Sequence, residues 1–107
     1  MKPDAFVPHP YAELSVFRVS ELGERRIWQI GEQIAEPQGK ALYARAEILA
    51  GEVIALGLQV VPKEPPPHHA NIVGWDRDDR ASQRLVAALL ASQAQLILRP
   101  DDIPTAL

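Results

Sequence analysis

Three consecutive prolines, Pro65-Pro66-Pro67, are the stiffest point of this chain, and they run directly into His68-His69-Ala70-Asn71-Ile72-Val73-Gly74-Trp75. Each pyrrolidine ring locks its own φ, so the expected conformation is a polyproline II spacer. Two of the three histidines and one of the two tryptophans follow this rigid lead-in. Such an arrangement can position a site, and it is also how a chain enters a sheet. A rigid spacer leading into a strand is favoured over a docking segment.

Ala70 to Trp75 has strand composition, and neighbouring side chains on a strand point to opposite faces. His68, Ala70, Ile72 and Gly74 would share one face, which looks core-directed. His69, Asn71, Val73 and Trp75 would share the other. The two imidazoles therefore cannot ligate one metal from a regular strand. The second row carries an acid/base group, an amide and a large aromatic, suited to gripping a planar ligand or a peptide. The plainer alternative is a half-exposed strand with Trp75 covering the core edge.

The remaining elements follow from periodicity and turn residues. Pro3, Pro8 and Pro10 make residues 1–12 an extended arm or partner-binding tail. Residues 13–19 read as a strand, with Leu14 and Val16 on one face and Ser15 and Phe17 on the other. Ser20 is the expected cap of a first helix at about 21–30, carrying Ile27, Ile30 and Ile34 at helical spacing. Gly31 is the expected terminator, with 31–35 open, and Trp28 is expected at the core margin. Residues 41–48 alternate as a strand, although 31–49 as a whole admits either helix or strand. A short helix at 50–56 would be closed by Gly57, with Leu58 returning onto it.

Leu58 to Val61 reads as a strand ended by Pro62. The last helix, about 79–94, is opened by Asp78 and presents Ala81, Leu85, Ala88, Leu89 and Ser92 as its apolar face. Leu96-Ile97-Leu98 adds a last strand, and 101–107 reads as a flexible tail. The sum is one α+β domain over 13–100. It would be a small mixed or antiparallel sheet of about four strands packed by two main helices.

Composition narrows the function classes. The chain has 107 residues, a formal net charge of −3 and no cysteine. Disulfides and thiolate metal sites are excluded. No apolar run approaches the ~20 residues of a membrane span. Only Arg25-Arg26 are adjacent basic residues, and without a basic patch nucleic acid is a disfavoured partner. The P-loop, the dinucleotide glycine fingerprint and the Gly-x-Ser-x-Gly elbow are all missing. Asp76-Arg77-Asp78-Asp79 lacks the glycine and distal glutamate of an EF-hand and reads as helix capping. Nothing here implies a cofactor or a metal. Arg77, Arg80 and Arg84 read as a solvated helix face.

Arg18 shares the strand face of Leu14 and Val16, so it needs a partner or an exit to water. Paired beside the His69 strand, Arg18, His69 and Asn71 would form a small pocket for a phosphate or carboxylate.

Three segments, Glu13-Leu14-Ser15-Val16-Phe17-Arg18, Gly57-Leu58-Gln59-Val60-Val61 and Pro65 to Trp75, resemble in order a family of small, uncharacterised bacterial proteins. They cover about a quarter of the chain. The resemblance implies that Arg18 and the His69-Ala70 pair are worth testing, and it assigns no reaction. The favoured expectation is a small cytosolic bacterial interaction or regulatory protein, binding a protein partner or itself through Arg18, His69, Asn71 and Trp75. The alternative is a small enzyme or nucleotide/anion binder, with His69 as acid/base and Arg18 as anion clamp.

Overall fold

The computed structural model describes residues 3–8 and 13–100, and the chain is α+β. Its strands are β1 (Leu14–Phe17), β2 (Ala44–Glu47), β3 (Gln59–Pro62), β4 (His69–Val73) and β5 (Gln95–Leu98). Its α-helices are α1 (Glu24–Ala35), α2 (Ala50–Ala55) and α3 (Arg80–Gln93). The strands form two sheets, ordered β1-β4-β3 and β2-β5. By their contacts the described residues group into two compact units. The first takes in those up to Arg18 with Glu47–Gln95, the second Val19–Ala46 with 96–100.

The first unit is built on β4, the central strand. It pairs antiparallel with β1, Phe17 opposite His69 and Ser15 opposite Asn71, and antiparallel with β3, Val61 opposite Asn71. Edge position explains why Pro62 ends β3 inside the ladder, since proline lacks a donor and is tolerated only at sheet edges. Ala70 and Ile72 are both buried, and Ile72 joins Val53, Leu58, Trp75, Ala87 and Leu90 in the core, flanked by Leu14 and Val16. Leu14 and Val16 thus share one face of β1 and Ser15 and Phe17 the other, as the alternation predicts, although β1 is an edge strand of this sheet.

Two corrections concern what covers this sheet. Pro3–Phe6 is a 3-10 helix, and Phe6 lies in the core. An extended arm is thus not what residues 3–8 form, because an aromatic this close to α3 gains more from burial than from solvent. Residues 9–12 of that arm, and the tail 101–107, lie outside the described residues. The face of α3 also differs from expectation. Gln83, Ala87 and Leu90 are buried, with Val86, Ala91 and Ala94 against the core, whereas Leu85 and Leu89 are exposed. An Ala- and Leu-rich helix carries two apolar stripes. The one with fully buried Ala87 lets the helix approach closely, and Gln83 fastens it by donating to the Asp76 carbonyl at 2.7 Å. Asp79 rather than Asp78 caps α3, accepting from the Ser82 N–H, and Arg77 precedes the helix.

The end of α2 follows the sequence reading closely. Gly57, at φ +83°, donates to the Ile54 carbonyl, and Leu58 donates to that of Val53. These are the paired bonds of a Schellman motif, with Leu58 and Val53 joined in the core.

In the second unit α1 starts at Glu24 after Gly23, because Ser20 is spent in a turn closed by Leu22 N–H to the Val19 carbonyl. Gly31 does not end the helix. A Cβ there would lie 2.7 Å from Leu42 Cδ2, so the helix packs closely on the Leu42 side chain at this point and no turn is formed. The terminator is Gly39, at φ +66°, after a 3-10 turn over Glu36–Gln38. Residues 31–35 are thus helix and 44–47 strand. Trp28 is 1% exposed, well inside rather than at the margin. The Arg45 guanidinium stacks on its ring at 4.9 Å and Arg99 lies 6.0 Å from the ring centroid. Arg45 is gripped through both terminal nitrogens by Glu24, which also accepts the Trp28 indole N–H. Arg99 pairs with the buried Glu32.

Candidate functional site

The core takes one side of the β1-β4-β3 sheet. The other side carries Ser15, Phe17, His69 and Asn71. The Ser15 Oγ and the His69 Nε2 are 2.6 Å apart, across strands brought together by the Phe17–His69 and Ser15–Asn71 pairs. On its other side the imidazole Nδ1 is 2.7 Å from the Lys63 carbonyl oxygen. A carbonyl only accepts, so the proton of the neutral ring is assigned to Nδ1. Nε2 then presents a lone pair, and the Ser15 hydroxyl donates to it. Phe17 meets the imidazole edge-on, with centroids 5.3 Å apart. Asn71 Nδ2 donates to Glu13 Oε2 at 3.1 Å.

The turn before β4 holds this geometry. His69 N–H donates to the Pro66 carbonyl, and His68 adopts φ +70°. Proline at the second position and a left-handed residue at the third are the pattern of a type II turn. Residues 65–68 therefore form a bend and turn, not the expected polyproline II spacer. His68 leaves the strand and is half-buried in this turn rather than aligned with Ala70 and Ile72. Glu64 ties the turn to the end of β1. Its Oε2 accepts from Arg18 Nη2 at 2.8 Å and from the His68 N–H at 3.1 Å. The Arg18 N–H donates to the His68 carbonyl at 2.8 Å.

Of the four residues singled out from sequence, His69 and Asn71 share the outer face as expected. Arg18 bonds to Glu64 and His68, whereas His69 bonds to Ser15 and Lys63, so serine rather than arginine meets the imidazole. Trp75 is 6% exposed and belongs to the core. Gly74, at φ +100°, breaks the strand alternation, and the indole swings to the side of Ile72. Ser15, Glu13 and the Lys63 carbonyl are the participants that sequence reasoning missed. Alternation puts Ser15 with Phe17 on the face opposite Leu14 and Val16, but strand register is a long-range property that no local pattern carries.

Among the described residues no group of three or more His, Cys, Asp or Glu side chains could hold a metal ion. No helix among them is long and apolar enough to cross a membrane. No family model, curated protein or solved structure matches the chain.

Proposed function

We propose that this chain is a small bacterial, cytosolic interaction protein that recognises a protein partner through the outer face of its three-stranded sheet. The observation that carries this reading is the polar cluster on that face, two hydrogen-bonded pairs, Ser15 with His69 and Asn71 with Glu13, beside Phe17. Ordered polar groups next to an aromatic provide directional recognition with little rotamer entropy left to lose. The resemblance to small bacterial proteins and the absence of cysteine support the cytosolic, bacterial part. The test is native mass spectrometry of tagged protein recovered from the source cell. A defined complex is expected, and it should dissociate in His69→Ala/Asn71→Arg. A strict monomer with nothing bound counts against this reading.

A second reading, an enzyme using His69 as acid or base, is favoured by the tautomer that the Lys63 carbonyl imposes. For Arg18 to clamp an anion in that enzyme, its guanidinium would have to exchange Glu64 for the anion. Inorganic phosphate titrated against the protein by NMR tests this. Shifts at Arg18 and Glu64 that saturate would support the clamp, and unmoved signals would leave Arg18 as the tie of the proline turn.

A further inference from the structure

We propose that Ser15 is a nucleophile activated by His69, and that the outer sheet face hydrolyses short-chain carboxylic esters. This goes beyond the binding reading, which needs the face but not the chemistry.

Four geometric facts carry the inference. The Ser15 Oγ lies 2.6 Å from His69 Nε2 on an exposed strand position. Nδ1 is fixed by the Lys63 carbonyl at 2.7 Å, so the nitrogen facing serine is the basic one. Nucleophile, base and a third group that orients the base are the parts of an activated serine. A backbone carbonyl here fills the orienting place that a carboxylate takes in the commoner triad. Asn71 stands directly opposite Ser15 on the same face. Its amide carries two N–H donors, one of which goes to Glu13, and side-chain amides serve as donors to the oxyanion of acyl transfer. Phe17 against the imidazole offers a flat apolar surface for a short acyl or aryl group.

The chemistry balances with water as the only co-reactant. Ser15 Oγ attacks the ester carbonyl carbon while its proton passes to Nε2. The carbon–alkoxide bond breaks as Nε2–H protonates the leaving alcohol. Water then adds to the acyl-serine, giving a proton to Nε2, and collapse returns that proton to Ser15 Oγ with release of the carboxylic acid. Lys63 and its carbonyl position the base without touching substrate.

The test is covalent labelling of the full chain with a fluorophosphonate, read by intact mass and peptide mapping, beside hydrolysis of p-nitrophenyl acetate. One adduct on Ser15 is expected, absent in Ser15→Ala. The labelling rate should fall by at least about 10²-fold in His69→Ala, the usual scale of a lost general base. Asn71→Ala should slow ester turnover more than it slows labelling. Circular dichroism melting shows whether each variant is folded, and Ser15→Ala, at an exposed site, is the variant least at risk. An unlabelled wild-type protein, labelling at another serine, or equal rates in wild type and folded His69→Ala would overturn the proposal. Partner capture by the wild-type protein is read without any ester chemistry, so failure of the chemistry and failure of the binding reading are separately visible.

Discussion

The indole N–H of Trp75 donates to the carbonyl oxygen of Ile72 at 3.0 Å, which folds the chain back across the end of β4. That bond removes Trp75 from the row of His69 and Asn71 and commits it to the core. The outer face left behind carries Ser15, His69 and Asn71, with Phe17 as the aromatic beside His69 and the exposed Val61 opposite Asn71.

The hinge of this arrangement is Gly74. It sits at φ +100°, and a Cβ there would lie 3.2 Å from the Gly57 carbonyl oxygen. Gly74→Ala should therefore lose about 1–3 kcal/mol from backbone conformation alone, with the contact adding to it. Urea denaturation measures the loss. Stability equal to wild type would mean that Trp75 does not need this turn.

His68 holds a left-handed φ of +70° without being glycine. A β-branched residue is a poor occupant of that region, whereas glycine adopts it freely. His68→Val should destabilise the protein by about 1–2 kcal/mol, while His68→Gly should be neutral or mildly stabilising. Thermal melts of the two variants check this, and a loss for glycine as large as for valine would show that the imidazole itself matters.

The Glu32–Arg99 pair is removed from solvent, with side-chain exposures of 10% and 13%. Truncating Glu32 removes the charged partner of Arg99, which keeps the Leu42 carbonyl and the Trp28 ring, so the loss should sit at the lower end of the range of about 3–5 kcal/mol for a broken buried pair. Glu32→Ala should show a loss of that order in urea. Replacing both residues by apolar ones of similar volume should recover much of it, and an additive loss instead would argue against the pairing.

Arg45, donating to both carboxylate oxygens, holds Glu24 below the usual carboxylate range. A lowered pKa in the folded state means stability that is present above the unfolded value of about 4.3 and lost as pH falls through the lower folded value. Acid titration of the melting temperature should show this loss, and Glu24→Gln should flatten it. Because Glu24 is exposed, the effect should be small and should shrink in added salt. An unchanged acid slope in Glu24→Gln would show that other carboxylates govern it.

Local pattern made much of the architecture readable. The α+β class, the short helix closed by Gly57 and Leu58, the two faces of β1 and the alternation of Ala70 and Ile72 against His69 and Asn71 all follow from backbone sterics and from spacing along the chain. These are interactions within a few residues, so the sequence by itself determined them. Tertiary structure decided everything that depends on distant partners. α1 runs on through Gly31, packed against the Leu42 side chain, where glycine alone would read as its end. Ala87 selects which of two apolar stripes of α3 is buried. Gly74 and the Gly57 carbonyl turn Trp75 inward, and the register of β1 on β4 sets Ser15 rather than Arg18 against the imidazole of His69. Register, close approach and the choice of a helix face arise from packing between segments far apart in the chain, and a site made from such contacts exists only once the chain has folded.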